Sequence, residues 1–138
     1  MKQEHLYAVA LTRLGGFNLP ALMELYQRAG SATAIYEHRN NIHDILPDAT
    51  QRLVETLENW DNVISFAERE LQYDEQNNIE VLCLNDENYP QRLRECPDAP
   101  IVLYKQGNVN LNKHRTLNII GTRNCTQYGR DLIRAFIR

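Results

Sequence analysis

Apolar residues in the first half of the chain recur at helical spacing. Leu6, Ala10 and Leu14 stand four apart with Tyr7 and Leu11 beside them, which predicts one helix with a single apolar stripe, stopped by Gly15-Gly16. Asn18 then offers an N-cap, with Pro20 tolerated in the first turn of a second helix whose inward positions are Leu22, Met23 and Tyr26 and whose end is Gly30. Ser31 caps a short third helix that runs through Tyr36. After Pro47-Asp48, the steps of four and three through Leu53, Leu57, Trp60, Ile64, Ala67 and Leu71 predict one long helix over residues 49–76, packed into a small bundle.

The period changes at Asn77-Asn78. Residues 79–84 (Ile-Glu-Val-Leu-Cys-Leu) read as a strand bounded by Asn and Asp. Pro90 opens a helical turn over residues 90–94, and residues 101–104 form a second strand ended by Gly107. Residues 117–120 read as a third strand, followed by a loop and a helix that starts near Gly129. Three short strands and one helix cannot cover both faces of a parallel sheet, so the second half reads as an unfinished piece of a longer protein, or one completed by another chain. The expected fold class is α/β, with a helical domain over residues 1–76 and the start of a strand-bearing domain over residues 77–138.

Charge sharpens this division. Residues 1–89 carry a net −9 and residues 90–138 a net +6, hidden in an overall −3. Such asymmetry points to an anionic partner for the second half. Cys83, Cys96 and Cys125 form no CxxC pair, and His5, His38, His43 and His114 show no i,i+4 pairing, so neither a metal site nor a cofactor is expected. No run of apolar residues is long enough to span a membrane, and the N-terminus lacks a signal-peptide pattern; a cytoplasmic protein without a membrane partner is the expectation.

Two segments have binding chemistry. Ile119-Ile120-Gly121-Thr122-Arg123, with Thr126-Gln127-Tyr128-Gly129, delivers a glycine-led loop to a helix N-terminus, where backbone N–H groups and the helix dipole favour phosphate. Gly121 permits close approach, Thr122 adds a hydroxyl and Arg123 a guanidinium fork, with Gly129 at the helix start. The segment is neither a dinucleotide fingerprint nor a P-loop. The second segment, Gly15, Gly16 and Asn18 between two short helices, resembles a helix-hairpin-helix turn that contacts DNA backbone, with Asn18 in place of the usual second glycine and able to take a left-handed conformation. No catalytic constellation is legible, so a non-enzymatic protein is expected.

Three strings together resemble the DprA (Smf) family: residues 85–93 with Asp86, Tyr89 and Pro90; residues 98–104 with Gly107; and residues 119–123 with Tyr128-Gly129. Ala10-Leu11-Thr12-Arg13 and Gly30-Ser31 fit that family's N-terminal SAM-like domain. The resemblance implies a SAM-like/helix-hairpin-helix bundle before the truncated start of a Rossmann-like domain. It also implies binding of single-stranded DNA, loading of the RecA recombinase during natural transformation, and a homodimer in the full-length protein. The family's phosphate-holding arginine falls on Arg123, with Gly121 and Thr122 beside it. Two other readings compete: a fragment of a Rossmann-like enzyme that binds a nucleotide phosphate, and a protein-interaction role for the acidic helical module.

Overall fold

The structure, a computed structural model, describes residues 2–15 and 18–137. Helix α1 (Gln3–Arg13) ends at Gly15, whose φ of +73° lies where a side chain would be strained. Asn18 caps α2 (Leu19–Ala29) by accepting the Ala21 N–H at 2.9 Å, and Gly30 closes it in the left-handed conformation. Ser31 caps α3 (Ala32–Glu37) through the Ala34 N–H at 3.0 Å. A single 3-10 turn, Ile42–Asp44, follows and buries Ile42; the sequence pattern did not announce it.

The long helix expected over residues 49–76 is two helices, α4 (Gln51–Leu57) and α5 (Trp60–Gln76). Asn59 breaks it: its side-chain amide donates to the Glu55 carbonyl at 2.9 Å, replacing a helical N–H partner. The apolar seam survives the break because Leu57 and Trp60 stay fully buried on either side of it. The cap of α4 is Thr50, whose hydroxyl accepts the Leu53 N–H.

Helix gives way to strand where the period changes: α5 ends at Gln76 and β1 (Ile79–Cys83) begins three residues later. A one-turn helix α6 (Gln91–Arg94) precedes β2 (Val102–Gln106), and α7 (Gln127–Ile137) ends the described chain. The two strands pair antiparallel, from Ile79 opposite Gln106 to Cys83 opposite Val102, where a Rossmann-like start had led us to expect parallel strands. Residues 117–120 form no strand. Their β-branched pattern is intact, but a strand needs a neighbour for its N–H and C=O groups, and Leu117 and Ile120 are exposed instead.

One hydrophobic core runs through both halves. Tyr7 stacks on Tyr36 with ring centres 4.0 Å apart, and Trp60 meets both rings edge-on. Leu11, Leu25, Ile35 and Leu71 extend this cluster to Val81, Leu82, Tyr89, Ile101 and Val102. β1 packs on α1 and α5, and β2 on α1. No residue of α7 is buried.

Candidate nucleic-acid interface

The residues between β1 and β2 build an anchor. Asp86 turns the chain: its N–H donates to the Cys83 carbonyl at 2.8 Å, while its carboxylate accepts the Cys83 N–H at 2.7 Å. The same carboxylate oxygen meets the His5 ring of α1 at 2.9 Å. Tyr89, fully buried, donates its hydroxyl to the Pro100 carbonyl at 2.6 Å, so the turn and the approach to β2 are tied together. Arg94 donates to the Asp86 carbonyl at 2.6 Å. Asp86 and Tyr89, which belong to the first string of the resemblance, thus tie the β1 turn to α1 and to the entry of β2.

Asn112 clips the following segment onto this anchor. Its side-chain oxygen accepts the Gln91 N–H at the start of α6, and its amide donates to the Tyr89 carbonyl at 3.1 Å. Arg92 adds bonds to the Thr116 hydroxyl and the His114 carbonyl. Sequence reasoning missed both residues. An Asn-rich stretch at 108–112 marks a turn, but nothing local names a partner 21 residues away.

From this clip the chain runs outward to the glycine-led loop. Gly121, Thr122 and Arg123 are all exposed, and Arg123 forms no hydrogen bond or ion pair with any other described residue. The Thr122 hydroxyl donates to the Asn124 carbonyl at 3.1 Å, so its proton is engaged within the loop. The helix begins earlier than expected: Thr126 is its cap, accepting the Gly129 N–H at 3.2 Å, and Gly129 lies inside the first turn. Neither glycine is demanded by the backbone. A Cβ on Gly121 would meet nothing within 4 Å, and one on Gly129 would make an ordinary contact with Thr126. Along α7, Arg130 reaches the Cys125 carbonyl and Arg134 pairs with Asp131 at 3.5 Å, both on the exposed surface.

At the other candidate segment, Gly16 lies outside the described residues. Asn18 has an extended backbone with φ −86°, not the left-handed one expected, and its side-chain oxygen is committed to capping α2. Gly15 and Asn18 line a cavity of about 300 Å³ with Thr12, Leu22 and the Pro100-Ile101 entry to β2. Among the described residues, no hydrogen bond or ion pair joins this turn to the loop at residues 121–129.

No described helix is long and apolar enough to cross a membrane. The family model for DNA recombination-mediator protein A matches residues 80–138, from β1 to the end of the chain. The DNA processing protein DprA of Bacillus subtilis (strain 168) is 37% identical over 56 residues, which is 40% of this chain and 19% of that protein. The matched segment therefore spans about a fifth of the relative's length. No solved structure matches the chain. The anchor at Asp86 and Tyr89, the entry to β2 and the loop at Gly121 all fall inside the segment that is similar to the DNA recombination-mediator protein A family.

Proposed function

We propose that the protein carrying this chain binds single-stranded DNA through the loop at Gly121, Thr122 and Arg123 and the first turn of α7 that contains Gly129. The observation that carries the reading is Arg123, a cation with no partner among the described residues, on an exposed loop beside a helix N-terminus in a segment of net charge +6. Phosphate contacts ask for that combination and nothing more elaborate. The family supports it, being that of a recombination mediator with a relative named for DNA processing.

On this reading the protein acts in the cytoplasm as a mediator without catalytic residues. It hands DNA to the RecA recombinase during natural transformation, and the full-length protein works as a homodimer. Residues 1–76 serve as a SAM-like/helix-hairpin-helix module in which Gly15, Gly16 and Asn18 supply a secondary backbone contact. Residues 77–138 open a Rossmann-like domain.

The test is oligo-dT binding, followed by fluorescence anisotropy at several salt concentrations. Arg123→Ala should lower the slope of log K against log salt by roughly 0.7, the single-strand value for one phosphate. Arg123→Glu should weaken binding equally for all base compositions, because phosphate contacts carry no sequence information. Unchanged affinity and slope in Arg123→Ala would place the DNA elsewhere.

A further inference from the structure

The fold gathers one set of side chains that the sequence scatters. His5 projects from α1, Cys83 ends β1 and Asp86 sits in the turn after it. One donor atom from each (ring nitrogen, thiol sulfur and carboxylate oxygen) lies within 4.8 Å of the other two. We propose that His5, Cys83 and Asp86 form a zinc-binding site that ties α1 to the β1 turn.

The donor set selects the ion. A thiolate sulfur with an imidazole nitrogen and one carboxylate oxygen suits Zn²⁺ and disfavours Mg²⁺ or Ca²⁺, which take all-oxygen shells. The charges balance: one thiolate and one carboxylate neutralise a divalent cation, and the imidazole binds neutral. Three protein ligands leave the fourth tetrahedral position to water.

Two ligands are already held in place. The mutual bonds between Asp86 and the Cys83 backbone, at 2.7 and 2.8 Å, fix one relative to the other, and Arg94 grips the Asp86 carbonyl. Tetrahedral zinc with these ligands places its donors roughly 3.3–3.8 Å apart. The His5–Asp86 contact of 2.9 Å must therefore open slightly, and a separation at the 4.8 Å limit must close by about 1 Å. Rotation about the His5 side-chain bonds changes its distances to Cys83 and Asp86 and leaves β1 in place.

Access and field also fit. The His5 and Asp86 side chains are 16% and 24% exposed, whereas Cys83 is buried beneath them. A cavity of about 450 Å³ opens on the pair and is lined by Asn85, Glu87 and Glu80, the last of which is paired with Lys105. Lys2 opposes a cation there, with its ammonium 3.9 Å from Asp86, but that side chain is 75% exposed and its charge is largely screened by water. Binding deprotonates the Cys83 thiol, and the proton leaves to water.

The experiment uses the whole 138-residue chain with Cys96→Ser and Cys125→Ser, so that Cys83 is the sole thiol. Titration with Co²⁺ should produce a thiolate-to-cobalt charge-transfer band and tetrahedral d–d bands that saturate at one ion per chain. Zn²⁺ should displace the cobalt and raise the melting temperature. His5→Ala, at a partly exposed position, should keep its far-ultraviolet circular dichroism and lose tight cobalt binding. Cys83→Ser should lose the charge-transfer band. Absence of the band at one equivalent overturns the site. So does a band that survives in His5→Ala with undiminished affinity, a result that decides the matter even if Cys83→Ser does not fold.

Discussion

At the Glu4 carboxylate four donors converge: the Tyr26 and Thr33 hydroxyls, both at 2.6 Å, and the Ala32 and Thr33 N–H groups at 2.8 and 2.9 Å. One side chain thereby joins α1 to α2 and to the N-terminus of α3. Burial alone would raise the Glu4 pKa, but these four bonds outweigh it and hold the carboxyl below its ordinary value. A depressed folded-state pKa stabilises the fold above the unfolded pKa, and that stability is lost as pH falls through the folded one. Glu4→Gln puts an amide donor among donors and should cost about 1–3 kcal/mol at neutral pH, while flattening the acid limb of the stability profile in chemical denaturation. Asp74 is the opposite case. It is buried with one carboxylate oxygen unpartnered, and burial, then Glu70, raises its pKa. Here stability is fully present below the unfolded pKa and declines as pH rises through the folded one. Asp74→Asn should raise stability at neutral pH by about 1 kcal/mol and leave it nearly unchanged at acidic pH. A lower melting temperature at pH 7 would show that the carboxylate has a partner.

Among the elements, α7 has the most sharply divided polar and apolar faces, yet Leu132 and Phe136 are 46% and 63% exposed. Replacing both with Glu should therefore move chain stability by no more than about 0.5 kcal/mol. Leu11→Ala, in the core of α1, should cost about 2–5 kcal/mol. Equilibrium denaturation separates the two outcomes, and a large loss from the α7 pair would mean that its apolar face is covered. The same contrast explains what was legible in the sequence. Asn18, Gly30 and Ser31 act within three or four residues of themselves, so they marked α2 and α3 correctly. The strands at 79–84 and 101–104 were legible because they are apolar and bounded by turns. The region at 117–120 shows the same local signal and forms no strand, because pairing is a long-range property. The Asn59 break escaped notice because it leaves Leu57 and Trp60 in one apolar seam. At the candidate site, the loop and helix around residues 121–129 could be read locally, with the cap two or three residues out of place. The Asn112 clip and the joining of His5 to Cys83 and Asp86 could not, since Asn112 lies 21 residues from Gln91 and His5 lies 81 from Asp86.

Across the whole molecule, acidic and basic charge divide near residue 90, and element type divides at residues 77–78, but the core observes neither line. Val81, Leu82, Tyr89, Ile101 and Val102 are buried in the same cluster as Tyr7, Leu11 and Leu71. β1 and β2 therefore cover apolar surface that the helices alone would leave in water. Each such side chain removed from the interface withdraws about 1.5–3 kcal/mol of burial, a large share of the total stability of a small domain. A chain cut after residue 76 should accordingly melt at a lower temperature than the 138-residue chain and with a smaller denaturant slope. It should also bind a hydrophobic dye over the bared face of α1 and α5. A chain cut after residue 116 retains β1, β2, the Asn112 clip and the Arg92–Thr116 bond, and among the described residues loses no buried one. It should melt at the temperature of the whole chain. The pair of truncations distinguishes a shared core from two independent ones: if residues 1–76 melt as the whole chain does, the helices hold themselves together and the strands only rest on them.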